Sequence, residues 1–365
     1  MRSRFFLFVF LIGSTHLLAA EPDAKQLPWK PVSLDSQDAP VAKLLKSLRE
    51  QTGVVIQDEI GEPRVVPSLK LDGVPFWQAA DAIAKGARAK LIPSPRDGTL
   101  RLVRLTPADR EAPVSYDGNF RVRVVRVASS ADLESDRSQC VCTLELVWLP
   151  QVRPLFVEGK FRQLKIRDIR SAPVELLEET AGLTAVDGRT SFTTDLTLPR
   201  FPRADATIQS IEGTLSVIAP SKFLDFHFAA DLLALQAALP DGAVRQLELG
   251  QPAVKCRLER VLLARDRWTL RVGMEYPAGT KALESFQAGS LVVQNEMKLV
   301  SANGKRTLLP TSYVVESVSS RRAQVSYHFT DKLRGDPKDW RVRYSAPERL
   351  IEVPVRFVFK GVPLP

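Results

Sequence analysis

The chain has 365 residues, of which 44% are hydrophobic and 25% are charged, and its formal net charge is +9. This length exceeds one typical domain and predicts two or three buried cores. Beyond the N-terminus, no apolar stretch is long enough to cross a bilayer as a helix. The positive charge is interspersed among 42 acidic residues, which is typical of a mixed, solvated surface.

The N-terminus has the features of a secretory signal peptide over residues 1–20. Arg2 and Arg4 precede an apolar run from Phe5 to Gly13, and the stretch ends in Ala19 and Ala20. This order predicts cleavage after Ala20, with a membrane anchor as the alternative. We therefore expect an exported protein, periplasmic or extracellular, for which nucleic acid is not an expected partner.

Residues 30–105 predict a strand, a helix, two strands, a second helix and a closing strand. Asp38 is the predicted cap of the first helix, with Pro40 in its first turn. This helix ends at Gly53, where a left-handed residue costs little. The second helix runs from Pro75 to Lys85, and an Asp97-Gly98 turn precedes the closing strand. Apolar residues at helical spacing define one buried face on each helix: Val41, Leu44, Leu45 and Leu48 on the first, and Phe76, Ala80 and Ile83 on the second.

The same segment resembles a known family. The stretches LLKSLREQTGVVI (residues 44–56) and PSLKLDGVPFWQAADAIAKGARAKLIPSPRDGTLRLV (residues 67–103) look like the secretin and TonB N-terminus short domain. The resemblance covers about a fifth of the chain and implies a split β-α-β module that contacts other proteins on the periplasmic side. It implies no catalytic residues and no cofactor.

After a predicted linker at residues 106–115, the sequence predicts almost only β structure. Short β runs separated by turn signals predict two sandwich-like domains, at residues 115–229 and 243–365. An Ala- and Leu-rich segment at residues 230–242 predicts a connecting helix between them. The expected fold class is therefore α+β and multidomain: a small split β-α-β module followed by two β-sandwich-like domains, which are either related or independent.

The final strand alternates strongly, with Ile351, Val353, Val355, Phe357 and Phe359 on one face. Pro354 cannot donate a ladder hydrogen bond, which predicts an edge strand or a bulge. We expect this strand to close the second core.

Reactive side chains are few and scattered. Asp225 and His227 share a strand face, and His328 lies in another alternating strand, but each is most simply a structural residue. Cys140, Cys142 and Cys256 are interpreted as reduced, small core residues, with one disulfide and one remaining thiol as the alternative. A bridge between Cys140 and Cys142 is not expected, because residues i and i+2 of a strand lie at the edge of disulfide geometry. The usual nucleophile, zinc and phosphate-loop motifs are missing. We therefore assign no catalytic, cofactor or metal residues.

One basic cluster is dense enough to be a candidate site for an anionic polymer. It comprises Lys160, Arg162, Lys165, Arg167 and Arg170. Arg121, Arg123 and Arg126 would extend it if their strand were adjacent. A solvated sheet face is the alternative interpretation.

These features predict an exported, non-enzymatic envelope adaptor that binds a partner protein. A carbohydrate- or wall-polymer-binding protein is the alternative, for which exposed aromatic rings would form sugar platforms. Its candidate platforms are Trp77, Trp148, Trp268 and Trp340. A hydrolase whose site is assembled from distant loops is the third possibility.

Overall fold

β-strands in several sheets make up most of the structure, a computed structural model, with three α-helices among the residues it describes. Those residues are 27–93, 99–107, 109–131, 134, 138–174, 182–186, 189–202, 206–239, 247–251, 254–275, 295–319, 322–330, 336–347 and 350–365. The predicted signal peptide and the Asp97-Gly98 turn lie outside them. No helix in these ranges is long and apolar enough to cross a membrane.

The N-terminal elements follow the predicted order except that a further strand, Ala89–Pro93, precedes the closing strand, and they form two small sheets. The predicted helix cap Asp38 is wrong, because Asp38 lies in the first strand and Pro40 is the N-cap residue. Strands β1 and β3 form a two-stranded sheet, and β2, β5 and β4 form a three-stranded one. Gly53 ends the first helix with φ 80°, and its N–H donates to the carbonyl of Arg49. The elements are β1 (Val32–Pro40), α1 (Val41–Thr52), β2 (Ile56–Asp58), β3 (Val65–Val74), α2 (Phe76–Gly86), β4 (Ala89–Pro93) and β5 (Leu100–Arg104).

The predicted buried faces of α1 and α2 are largely confirmed. Every predicted core position of the two helices is buried except Leu45, which is half-buried at the rim. One continuous apolar core joins these helices to the strands that follow. The indole N–H of Trp77 donates to the carbonyl of Asn119, at 3.0 Å, across the same junction. The N-terminal module is therefore packed against the first sandwich.

The first sandwich consists of two four-stranded antiparallel sheets. One has the order β11-β8-β7-β6 and the other has the order β10-β9-β12-β22. Seven of its strands come from one stretch of chain, but the eighth is contributed by the C-terminus. The strands are β6 (Val114–Asp117), β7 (Phe120–Ala131), β8 (Ser138–Trp148), β9 (Phe156–Arg167), β10 (Leu183–Ala185), β11 (Ser191–Pro199), β12 (Thr207–Pro220) and β22 (Leu350–Pro363).

The second sandwich has sheets of order β13-β21-β17-β18 and β14-β15-β16-β20-β19. Helix α3 (Leu232–Ala238) forms within the predicted helical segment, and its N-cap residue Asp231 accepts a hydrogen bond from the N–H of Ala234. The predicted connecting role is wrong, because α3 lies between β13 and β14, which both belong to the second sandwich. The strands are β13 (Phe223–Asp231), β14 (Leu247–Gln251), β15 (Val254–Leu263), β16 (Trp268–Glu275), β17 (Glu296–Ser301), β18 (Thr307–Leu308), β19 (Ser312–Val318), β20 (Arg322–Phe329) and β21 (Trp340–Pro347).

The two sandwiches have the same strand topology. The order β6-β7-β8-β11 corresponds to β14-β15-β16-β20, and β10-β9-β12-β22 corresponds to β18-β17-β21-β13. All of these strand pairs are antiparallel. Strand β19 has no counterpart among the described strands of the first sandwich. The shared topology favours the interpretation that the two units are related, as the sequence patterns suggested.

A long two-stranded ribbon connects the sandwiches. Strand β12 continues into β13, and β21 continues into β22, with the pairs Pro220–Leu350 and Phe223–Pro347 in one register across the crossing. Strand β12 is internal in the first sandwich, and β21 is internal in the second. Each long strand is therefore internal in one unit and at the edge of the other.

The prediction that the final strand closes the second core is wrong. Strand β22 pairs with β12, and its residues Val353, Val355, Phe357 and Phe359 are buried in the first core. Conversely, β13 from the predicted first domain pairs with β21 in the second sandwich. An alternating strand specifies a buried face but not the core that receives it. The expected edge position of β22 is confirmed.

Candidate functional site

The predicted basic cluster lies on strand β9 and the turn that follows it. Lys160, Arg162, Lys165 and Arg167 are exposed on the strand. A bulge at Gln163, with φ 52°, shifts the register of β9. The shift allows basic residues on both sides of the bulge to face solvent. Arg170 is exposed beyond the end of the strand.

Two neighbouring strands extend this cluster into a basic face. Arg162 is in register with Thr214 of β12, and Thr214 with Arg356 of β22; Arg167, Ser210 and Lys360 form a second such row. We define the basic face as the exposed cations on β9 and β22 that flank β12. They are Lys160, Arg162, Lys165, Arg167, Arg356 and Lys360.

Short hydroxyl side chains line the middle of the basic face. Ser210, Thr214 and Ser216 lie on β12 and are at most 9% exposed, because longer side chains on both sides cover them. Glu212 lies between Ser210 and Thr214 on the same strand, in register with Lys165. The centre of the basic face therefore carries hydroxyl groups and one carboxylate, and the excess of cations on both sides of it suits an extended anionic chain. Glu158 and Glu352 neutralise one end through ion pairs with Arg162.

The proposed extension through Arg121, Arg123 and Arg126 is wrong. Strand β7 belongs to the opposite sheet of the sandwich, so it does not neighbour β9. Arg121 is buried and paired with Asp81, and Arg123 is paired with Glu145. The real extension, Arg356 and Lys360, was visible only as polar residues alternating with buried ones in the last strand.

Strand β19 is a second candidate site that the sequence analysis missed. It lies at the edge of its sheet and, among the described strands, pairs only with β20. Every residue of β19 is exposed. Tyr313, Val314, Val315 and Val318 are between 38% and 50% exposed, so apolar side chains are present on both faces. The consecutive apolar residues of β19 were visible in the sequence, but the edge position that exposes them was not.

The side chains near the edges of β22 and β19 form different hydrogen bonds. The N–H groups of Arg356 and Val358 donate to the side chains of Asp117 and Ser115, which lie on β6. These bonds protect β22 from pairing with another chain. On β19, the charged residue Glu316 instead accepts hydrogen bonds from Ser326 and Arg271 within the same sheet. The charge of Glu316 therefore faces the neighbouring strands of its sheet and not the open edge of β19.

The tryptophan platforms expected for sugar binding are not present. Trp77, Trp148, Trp268 and Trp340 are at most 5% exposed. A stacked sugar ring needs an accessible aromatic face. The carbohydrate interpretation based on these residues is therefore wrong.

The two described histidines lie far apart in the topology. His227 is exposed on β13, in register with Arg343, whereas Nδ1 of His328 lies 3.0 Å from the hydroxyl of Thr269. Asp225 is exposed on the same strand as His227. Within the described ranges, no three metal-ligating residues come together.

All three cysteines are free and buried. A hydrogen bond with Cys142 lowers the pKa of Cys140, and the same bond, together with burial, raises the pKa of Cys142. Burial raises the pKa of Cys256. These thiols face the cores of the two sandwiches, as the sequence interpretation expected.

Comparisons of this chain with protein-family models, with curated proteins and with solved structures find no match. The candidate sites therefore rest on their own geometry.

Proposed function

We propose that this is an exported, non-enzymatic envelope adaptor that binds an extended segment of a partner protein along β19. The observation that carries the proposal is the exposed edge of β19, with apolar side chains on both faces. An added strand gains main-chain hydrogen bonds from such an edge and specificity from alternate side chains. A register shift after Val315 places Tyr313, Val315 and Val318 on one face and Val314 on the other. The segment expected is therefore strongly apolar on the first face and has at least one apolar residue on the second.

Three further features support a binding role. Strand β19 is an addition to a strand order that is otherwise repeated in both sandwiches. The same molecule protects the edge of β22 with side-chain hydrogen bonds. Residues 30–105 also resemble the secretin and TonB N-terminus short domain, a family of periplasmic protein-contact modules.

The test is to replace Val314 and Val315 together by lysine. Lysine on an edge strand opposes pairing with another chain. The partner is first identified from envelope extract of the source cells with the wild-type protein, then purified, and its affinity for each variant is measured. We expect Val314→Lys with Val315→Lys to weaken binding at least about tenfold, equivalent to about 1.4 kcal/mol.

Val125→Lys is the matched control, because Val125 is 44% exposed on a strand of the first sandwich. This variant is expected to bind the partner as the wild type does. Equal affinity of the β19 variant and the wild type, with both folded by circular dichroism, would reject β19 as the binding edge.

The basic face supports a second candidate function, binding of an anionic polymer. Its six cations lie on two strands that are far apart in the sequence and flank one hydroxyl-lined strand. Attraction to a polyanion should weaken as salt screens the charges. Arg167→Glu with Lys360→Glu should reduce retention on immobilised polygalacturonate. The charge-matched control, Lys43→Glu with Lys70→Glu on the N-terminal module, should retain binding close to that of the wild type at the same total charge.

A further inference from the structure

A cavity of about 640 Å³ lies where the N-terminal module meets the first sandwich. Its walls come from α2, β4, the segment before β6, and strands β6 and β7. This volume is within the range of small-molecule binding sites, which commonly lie between structural units. The cavity is separate from the basic face and from β19.

Arg121 forms part of the cavity wall and carries unused hydrogen-bond donors. Its side chain is 1% exposed, and Nη1 donates to Oδ1 of Asp81 at 2.7 Å. Nε and Nη2 are buried and have no hydrogen-bond partner. These two nitrogens form the edge of the guanidinium that binds a carboxylate in a bidentate manner. Buried donors without an acceptor are costly, so an acceptor is expected there.

The surroundings of Arg121 fix its orientation. The guanidinium lies 4.5 Å from the ring of Trp77, which covers one of its faces. Oδ2 of Asp81 accepts a hydrogen bond from the hydroxyl of Tyr116 at 2.9 Å, so both carboxylate oxygens are engaged. Asp81 therefore leaves the Nε and Nη2 edge to another acceptor.

The rest of the lining combines positive charge with apolar surface. Lys85 pairs with Glu111, and Lys90 pairs with Asp109. Arg88 and Arg110 line the cavity and are exposed, and neither forms an ion pair with another of the described residues. Leu91, Leu105 and Val114 provide apolar wall.

We propose that this cavity binds a small organic carboxylate with an apolar body. The carboxylate pairs with the Nε and Nη2 edge of Arg121. The hydrocarbon part lies against the leucine and valine side chains, and Arg88 and Arg110 attract the anion to the cavity.

The first test compares hexanoate, the neutral analogue hexanamide and inorganic phosphate by calorimetric titration of the full mature chain. Hexanoate should bind saturably, and hexanamide should bind at least about tenfold more weakly, because it lacks the charge that Arg121 pairs with. Equal binding of the two compounds, or no binding of hexanoate at millimolar concentration, would overturn the proposal. Binding of phosphate but not of hexanoate would also overturn it.

Variants then locate the site. Arg121→Lys removes the bidentate edge while retaining the charge, and should weaken hexanoate binding about tenfold. If that variant does not fold, Arg88→Gln with Arg110→Gln tests the cavity through exposed residues and should weaken binding severalfold. The control is Lys46→Gln, on the exposed face of α1, which should leave affinity unchanged. Unchanged affinity in the Arg88 and Arg110 variant would place the hexanoate site elsewhere.

Discussion

Arg121 of β7 and Asp81 of α2 form an ion pair of 2.7 Å in which the arginine side chain is 1% exposed. The two residues lie on different structural units, and the apolar core is continuous on both sides of them. The N-terminal module and the first sandwich are therefore expected to unfold together. The second sandwich has a core of its own.

Removal of Asp81 should be strongly destabilising. Asp81→Ala leaves the Arg121 charge buried without its partner, which typically costs about 3–5 kcal/mol. The control is Glu50→Ala, which removes an exposed pair with Lys46 at 4.0 Å and should cost less than about 1 kcal/mol. Urea denaturation of both variants measures the difference. Similar midpoints would mean that the Asp81–Arg121 pair contributes little to stability.

A cavity created in α1 should destabilise the first sandwich as well as the N-terminal module. Leu48 is fully buried, so Leu48→Ala should cost about 2–5 kcal/mol. Because the core is shared, hydrogen exchange should accelerate in both the module and strands β7 and β8, but not in β15 and β16. Acceleration confined to residues 30–105 would instead show that the module unfolds alone.

The final strand should stabilise the first sandwich and not the second. Phe357 is 1% exposed and its ring meets that of Phe161 on β9 in an edge-to-face contact, with centroids 5.9 Å apart. Phe357→Ala should cost about 3–5 kcal/mol. Hydrogen exchange should rise in β9 and β12. A rise in hydrogen exchange confined to β15, β16 and β20 would contradict the pairing of β22 with β12 in the first sandwich.

Asp109 should make stability depend on pH under acidic conditions. Hydrogen bonds from Lys90, and then from the N–H and hydroxyl of Thr106, lower the pKa of Asp109 to about 2. In the unfolded chain the pKa of an aspartate is about 3.9. The stabilising contribution of the Asp109 carboxylate is therefore present above that pH and is lost as the pH falls to about 2. The stability difference between wild type and Asp109→Asn should therefore shrink between pH 5 and pH 2. A constant difference would contradict the assigned pKa.

Local patterns in the sequence predicted the elements but not their partners. Residues 41–52 formed a helix as expected, because apolar spacing and Gly53 are local signals. In contrast, β22 pairs with a strand more than a hundred residues earlier. Its alternation is compatible with either core, and only the continuous register from β12 into β13 determines which one it joins.

The candidate site was predicted in part for the same reason. The cations of β9 are adjacent in sequence and were therefore identified, whereas Arg356 and Lys360 join them only through strand pairing. Arg121 resembles a surface cation in sequence, because it alternates with apolar residues, yet its ion pair with Asp81 is buried. Exposure of β19 could not be predicted, since a strand's position in its sheet depends on the whole topology.

Position-specific photo-crosslinking tests the proposed function most directly. A benzophenone amino acid replaces Tyr313 on β19 or, as the control, Val358 on β22; these residues are 44% and 46% exposed. After irradiation in the envelope of the source cells, the account predicts that position 313 crosslinks to one defined protein through an extended segment, and that position 358 does not. Crosslinking of that protein at position 358, or no protein crosslink at position 313 in the folded chain, would contradict the account.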